Sequence, residues 1–347
     1  MTEVTMTLRQ MGGTLRRIDR VVLTALGIVI ALALIVPAQA VASLSFTLGA
    51  LGTIAPFIAF SVLIAATAKA TGADQQIANV FKGRQAIMIT AAALFGALSP
   101  FCSCGVIPIV AGLLAAGVPI APVMAFWISS PLMSPEMFIL TASVFDLQFA
   151  TAKALAAIFM GLGAGFATQA LARRPAFAEP LKAGRGGCGS CGTPSLAQGS
   201  GTVWAFWRHP ERRKTFRSEA LVNGWFLFRW LTLAFIVESL MVAYLPADAV
   251  AQWLGSDQWW VVPASVAVGV PAYLNGYAAI PMVNALVNMG MGLGAALAFM
   301  VAGGVTSIPA AMAVFALVKR TVFLWYLALG LAGSLIVGFA YRAVLAL

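Results

Sequence analysis

Charge is scarce in this 347-residue chain: Asp, Glu, Lys and Arg make up 9% of it, against 61% hydrophobic residues. A soluble globular domain carries about 25% charged residues, so a water-solvated fold is excluded and lipid is the main solvent. Histidine is scarcer still. The one histidine, His209, follows Arg208 and leaves no second imidazole for a catalytic triad or a histidine zinc site. No Walker A string occurs, so ATP drive within the chain is not expected. No quinone or haem ligand set is apparent, so no cofactor is expected, and no catalytic constellation suggests an enzyme. Cysteine is limited to four residues in two close pairs, Cys102/Cys104 and Cys188/Cys191. Such pairs suggest metal, metalloid or redox chemistry more than a disulfide framework.

The net charge is +10, but nine of the 21 cations fall between Arg173 and Arg217. That concentration is a cytoplasmic loop signature, not a groove for nucleic acid, so no nucleic-acid partner is expected. Near the start, Arg16, Arg17 and Arg20 precede an apolar run from Val21 to Val36 and then Ala38-Gln39-Ala40. The arrangement resembles a signal peptide, although an uncleaved first helix is the reading adopted for a multispan chain. A bilayer core needs about 20 apolar residues per helix. Seven stretches meet this: 21–37, 50–70, 119–141, 149–172, 223–245, 293–315 and 321–342. Regions 86–117 and 259–290 are apolar too, but each is interrupted. Ser99-Pro100-Phe101-Cys102-Ser103-Cys104-Gly105 breaks one, and Gly269-Val270-Pro271-Ala272-Tyr273-Leu274-Asn275-Gly276 breaks the other.

The two interrupted regions look like copies. Ile107-Pro108 aligns with Ile280-Pro281 at an offset of 173, and the same offset relates Gly117 to Gly290, Ala125-Phe126 to Ala298-Phe299 and Ser134 to Ser307. Charge tests the repeat independently. The loop with Lys69, Lys82 and Arg84 corresponds to one with Asp248 and Asp257, and the loop around Asp146 corresponds to one with Lys319 and Arg320. Equivalent loops of opposite bias imply halves of opposite orientation, which is a transporter signature. Arg342 falls on the expected outer side and runs against this scheme. The topology then requires 86–117 to enter and leave on one side. Each arm of about 12 residues is roughly 18 Å of helix, so the expected form is a re-entrant hairpin. A kinked full-length helix in each place is the alternative. The expected fold is therefore all-α and polytopic. It is an inverted-topology repeat with about seven full transmembrane helices plus two re-entrant hairpins. The units read from it are an extra helix in 1–48, a first repeat in 49–174, a flexible basic linker in 175–220 and a second repeat in 221–347. Aromatic and basic residues in 204–217 suit a segment lying on an anionic leaflet, or an ordinary positive-inside loop.

Several residues carry candidate chemistry. Cys102, Ser103 and Cys104, beside Pro100, place two thiols in irregular backbone, where they could grip one soft centre. The second tip supplies Tyr273, Asn275 and Tyr277, with Asn284 and Asn288 on the arm that follows. These offer hydrogen bonds, either to a substrate or between helices. Glu136 and Glu238 are carboxyl groups within spans. Such groups are expensive in lipid and by default functional, here for proton or substrate handling. Cys188 and Cys191 in the linker could capture a soft metal, form a disulfide or be incidental.

The string Ser99-Pro100-Phe101-Cys102-Ser103-Cys104-Gly105-Val106-Ile107-Pro108-Ile109 resembles the signature of the ArsP-type, or YraQ-like, predicted permeases. Gly117, Pro119, Ser129-Ser130-Pro131, Ser134-Pro135-Glu136 and the Gly-Val-Pro-Ala-Tyr-Leu-Asn-Gly segment 269–276 fit the same pattern. The resemblance covers most of the chain from about residue 50. It implies a bacterial inner-membrane secondary permease with its central basic loop in the cytoplasm. Characterised members are similar to efflux systems for trivalent organoarsenicals such as methylarsenite, and related permeases are linked to copper or zinc efflux. It implies Cys102 and Cys104 as soft-ligand residues and Glu136 as a pore-lining carboxyl. The partners expected are the bilayer and a small-molecule or metalloid substrate, and a homo-oligomer is compatible with the sequence. Two alternatives remain at this level: a permease for another small molecule, such as one containing sulfur, with structural cysteines, and a membrane thiol-redox protein.

Overall fold

The computed structural model describes residues 20–72, 84–99, 105–172, 174, 177, 179–182, 205–244, 254, 256, 258–272 and 276–346. These residues form thirteen α-helices and one short 3-10 turn, with a single isolated bridge between Leu181 and Val318 as their only β feature. The first half contains α1 (Arg20–Ile35), α2 (Pro37–Thr71), α3 (Gln85–Leu98), α4 (Val106–Ala115), α5 (Ile120–Ser129), α6 (Pro135–Val144) and α7 (Leu147–Leu171). The second contains α8 (Pro210–Tyr244), α9 (Val261–Ala272), α10 (Gly276–Asn288), α11 (Leu293–Thr306), α12 (Ile308–Leu317) and α13 (Arg320–Leu345).

The chain is an all-helical, multi-pass membrane protein, and its spans divide differently from the seven read in the sequence. Among the described residues, Pro37–Pro56, Leu147–Leu171, Pro210–Leu240 and Arg320–Leu345 are long and apolar enough to cross a bilayer. The bent pair α11 and α12 makes a fifth if counted as one span. The stretch 119–141 is two ten-residue helices, because Pro131 and Pro135 flank a non-helical passage. The stretch 293–315 breaks at Ser307, just before Pro309. The first helix is only 16 residues long. It ends at Val36, where Pro37 opens the 35-residue α2. The basic segment is not wholly linker either. Helix α8 starts at Pro210, and Lys319 N donates to Pro180 O (2.9 Å) while Lys182 N donates to Leu317 O (3.2 Å).

Helix boundaries in the two halves agree at the offset of 173. Helix α6 corresponds to α12 residue for residue, and α7 to α13 within one residue at the C-terminal end. Gly117 and Gly290 close equivalent turns with φ of 85° and 109°, which only glycine adopts freely. The packing repeats as well. A Cβ on Gly96 would meet Phe126 O at 2.9 Å, and one on Gly269 would meet Phe299 O at 2.8 Å. Gly165 lies against Ile89, Ala125 and Ala121, and Gly338 against Val262, Ala298 and Gly294, the same three positions in each half.

These contacts set directions. Gly96 lies on Phe126 and Ser99 on Ser130, so α3 and α5 run parallel. The chain must therefore come back between them, and α4 is the returning arm. Helices α3 and α4 are thus two separate short helices of opposite direction. Helices α7 and α13, which are equivalent, run antiparallel: Phe149 meets Tyr341 edge-on at 5.9 Å, Met160 abuts Gly333, and Trp325 Nε1 donates to Thr168 Oγ1 (3.0 Å). Cross-half contacts come in exchanged pairs, α4 with α12 and α10 with α6, α5 with α13 and α11 with α7. An approximate two-fold axis thus lies across the helices. It passes through the contact of Met160 with Gly333, which are equivalent residues.

Close glycine packing should be intolerant of bulk. Gly96→Val and Gly269→Val should each cost about 1–3 kcal/mol or more. Gly163→Ala, where no atom lies within 4 Å, should hold or raise stability. Thermal unfolding in detergent, followed by size exclusion, checks this ordering.

Candidate functional site

The non-helical passages of the first half converge because parallel packing carries the end of α3 to the end of α5. At this point hydroxyls replace the backbone partners that a continuous helix would supply. Ser99 caps α3: its Oγ donates to Gly96 O (2.8 Å) and shares a hydrogen with Ser130 Oγ (2.6 Å). Ser129 Oγ donates to Ala125 O (2.9 Å). Ser61 Oγ, from α2, donates to Gly105 O. All four serines are buried. The residues on either side of 100–104 are therefore anchored, one to the end of α5 and the other to α2.

Beyond the break, Ser134 Oγ accepts from Met137 N (3.3 Å) and caps α6, placing Glu136 in that helix's first turn. A carboxylate there is favoured by the helix dipole, and its side chain is exposed rather than buried. The equivalent break at Ser307 is built from Thr306 Oγ1 donating to Ala302 O (2.7 Å) and Tyr326 OH donating to Val305 O. Tyr326 also packs on Trp127 of the first half, with ring centroids 5.1 Å apart.

Pro100, Cys102, Ser103, Cys104, Cys188, Cys191, Tyr273 and Asn275 lie outside the described residues. Tyr277 is on α10, with its side chain also outside the description. Asn284 is half-buried and Asn288 exposed on the same helix. Among the described residues, no three His, Cys, Asp or Glu side chains come together as a metal-binding group. Glu238 is buried on the α8 stripe formed with Leu227, Leu231 and Ala234, and its Oε2 has no hydrogen-bond partner. A turn away, Leu233 and Ile236 pack with Ala25 of α1 and Met312 of α12. Glu238 and Glu136 thus sit on different helices in different surroundings.

Sequence reasoning missed the serine ties and one charged residue. Lys153, on α7, is 1% exposed and its Nζ has no hydrogen-bond partner. Its position six residues inside an apolar 25-residue helix was the available signal.

A family model described as "Predicted permease" (ArsP_1) matches residues 39–343. "UPF0718 protein YcgR" of Bacillus subtilis (strain 168) is 31% identical over 90 residues, covering 26% of this chain and 31% of that protein. "UPF0718 protein MJ0584" of Methanocaldococcus jannaschii is 25% identical over 139 residues, covering 40% and 38% respectively. The chain thus spans about a third of the length of these curated relatives. No solved structure matches.

The Ser99–Ser130 tie can be weighed directly. Ser99→Ala and Ser130→Ala should each destabilise by about 1 kcal/mol. A double-mutant cycle read by thermal unfolding should show coupling of similar size, since the residues share one bond. Strict additivity would mean that the contact contributes nothing.

Proposed function

The chain belongs to the ArsP_1 family of predicted permeases, and from that premise we propose that it is a bacterial inner-membrane secondary permease exporting a soft, thiophilic metalloid or metal species such as a trivalent organoarsenical. The observation that carries the reading is the thiol pair Cys102 and Cys104 between two anchored residues, Ser99 and Gly105. The two thiols are two residues apart in the sequence, which suits them to one soft centre. A trivalent arsenic centre bearing two hydroxyl ligands exchanges them for the two thiolates. Each thiol hydrogen leaves with a hydroxyl as water, and no oxidant is required. Release on the other side reverses the exchange.

The internal two-fold supports alternating access. Antiparallel equivalent helices give the protein two halves that present related surfaces to opposite sides of a membrane. In this reading the basic segment 175–220 faces the cytoplasm, Glu136 lines the cargo path, and Glu238 carries a proton exchanged against the cargo. A carboxyl with an unpartnered oxygen in a buried stripe suits that role. Tyr273, Asn275, Tyr277 and Asn284 supply the polar side of the path, and Cys188 and Cys191 capture cargo before it enters.

Everted vesicles carrying the protein should accumulate methylarsenite, and Cys102→Ser/Cys104→Ser should reduce the rate at least about tenfold, a loss of roughly 1.4 kcal/mol or more of transition-state stabilisation. Glu238→Gln should leave cargo exchange intact but abolish its response to a pH gradient. Equal transport by the double cysteine variant overturns the thiol mechanism.

A further inference from the structure

Lys153 is a large, fully buried side chain in the heart of the helix bundle, and the mechanism above does not use it. On α7 it lies between Phe149 and Ala157, which are one turn away on either side and fully buried. The helices packed against α7 are α3, α5, α6, α11 and α13. Helices α3, α5 and α11 carry no charged residue. Helix α6 carries Glu136, whose side chain is exposed. Helix α13 carries Arg320 and Arg342, with Tyr326 and Tyr341 as further titratable groups. On its own helix the nearest charge is the N-cap Asp146, which accepts from Phe149 N. Among the described residues, no carboxylate pairs with the Lys153 amine and no carbonyl or hydroxyl accepts from it.

The internal two-fold shows what is missing. The offset of 173 places Lys153 on Tyr326. In the second half the Tyr326 hydroxyl is satisfied by Val305 O, in the last turn of α11. The equivalent backbone in the first half is that of Leu132, in the non-helical passage 130–134. The same position is thus closed by protein in one half and left as an unused donor in the other. The first-half break is also where hydroxyls gather, with Ser129, Ser130 and Ser134 all buried. A buried donor without an acceptor costs stability. An apolar residue of the same length would avoid that cost. The lysine therefore serves something that binds it.

We infer that Lys153 is the binding residue for a small oxyanion at the first-half break, an anion that supplies the acceptor which Val305 supplies to Tyr326. The inference rests on the permease reading but not on the thiol mechanism.

The test uses the purified full chain in detergent and its melting temperature in sulfate, sulfite and inorganic phosphate, with chloride at matched ionic strength as control. At least one oxyanion should raise the wild-type midpoint by roughly 3 °C or more near saturation. Lys153→Met should abolish that rise while keeping or raising the midpoint in chloride. Lys153→Arg should retain it with weakened apparent affinity. Cys102→Ser/Cys104→Ser should respond like wild type, so a failed thiol mechanism does not mask the result. The inference is overturned if no oxyanion shifts the wild type beyond chloride. It is equally overturned if Lys153→Met responds like wild type, or if that variant melts well below it in chloride, which would mark a structural lysine.

Discussion

The fold depends on backbone coming close to backbone. Gly96 rests on the main chain of Phe126, and Gly269 on that of Phe299. Without a Cβ at these positions α3 can lie along α5, and α9 along α11, closely enough for the end of one short helix to reach the end of the next. In lipid this proximity is obligatory. A helix that stops at mid-depth exposes carbonyl and amide groups that no water is present to satisfy. The small residues allow the approach, and the approach lets serine and threonine hydroxyls satisfy the freed groups.

Both halves use this arrangement, but they complete it with different chemistry. The first half ties its break with Ser99 and Ser130. The equivalent positions in the second half are Ala272 and Gly303, which carry no hydroxyl. Thiols occur in the first tip and not in the second. Lys153 stands where Tyr326 stands. The framework is therefore nearly symmetric, while the thiols and the buried amine belong to the first half and have no counterpart in the second.

Much of this was legible in the sequence, and for physical reasons. Prolines at 131, 135 and 309 disfavour a continuous helix, so the breaks in two stretches counted as spans had a signal in the chain. The glycine and proline spacing gave the offset, and it proved to be the offset of the helix boundaries and of the glycine contacts alike. The interruption of 86–117 was legible from its proline and glycine, and α3 and α4 are indeed separate helices. Two kinds of feature were not legible. Ser99 and Ser130 read as ordinary small residues, because a bond between residues 31 apart depends on a packing distance that spacing does not encode. The division of residues 21–71 at Val36 was hidden by a run of small apolar residues that is equally compatible with one helix, two helices or a cleavage site. Lys153 was visible as a lone charge. Its burial, and the absence of an acceptor, came only from the arrangement of the five helices around it.

The contact of Met160 with Gly333 sits where the internal axis crosses α7 and α13. When two halves exchange roles, every pair off the axis trades one neighbourhood for another. A pair on the axis keeps the same one in both arrangements. In the proposed permease this junction would be a fulcrum, with lever arms that swing on either side of a bearing that stays packed. A flexible thioether pressed against a glycine suits a bearing, because it can roll over a smooth surface without losing contact.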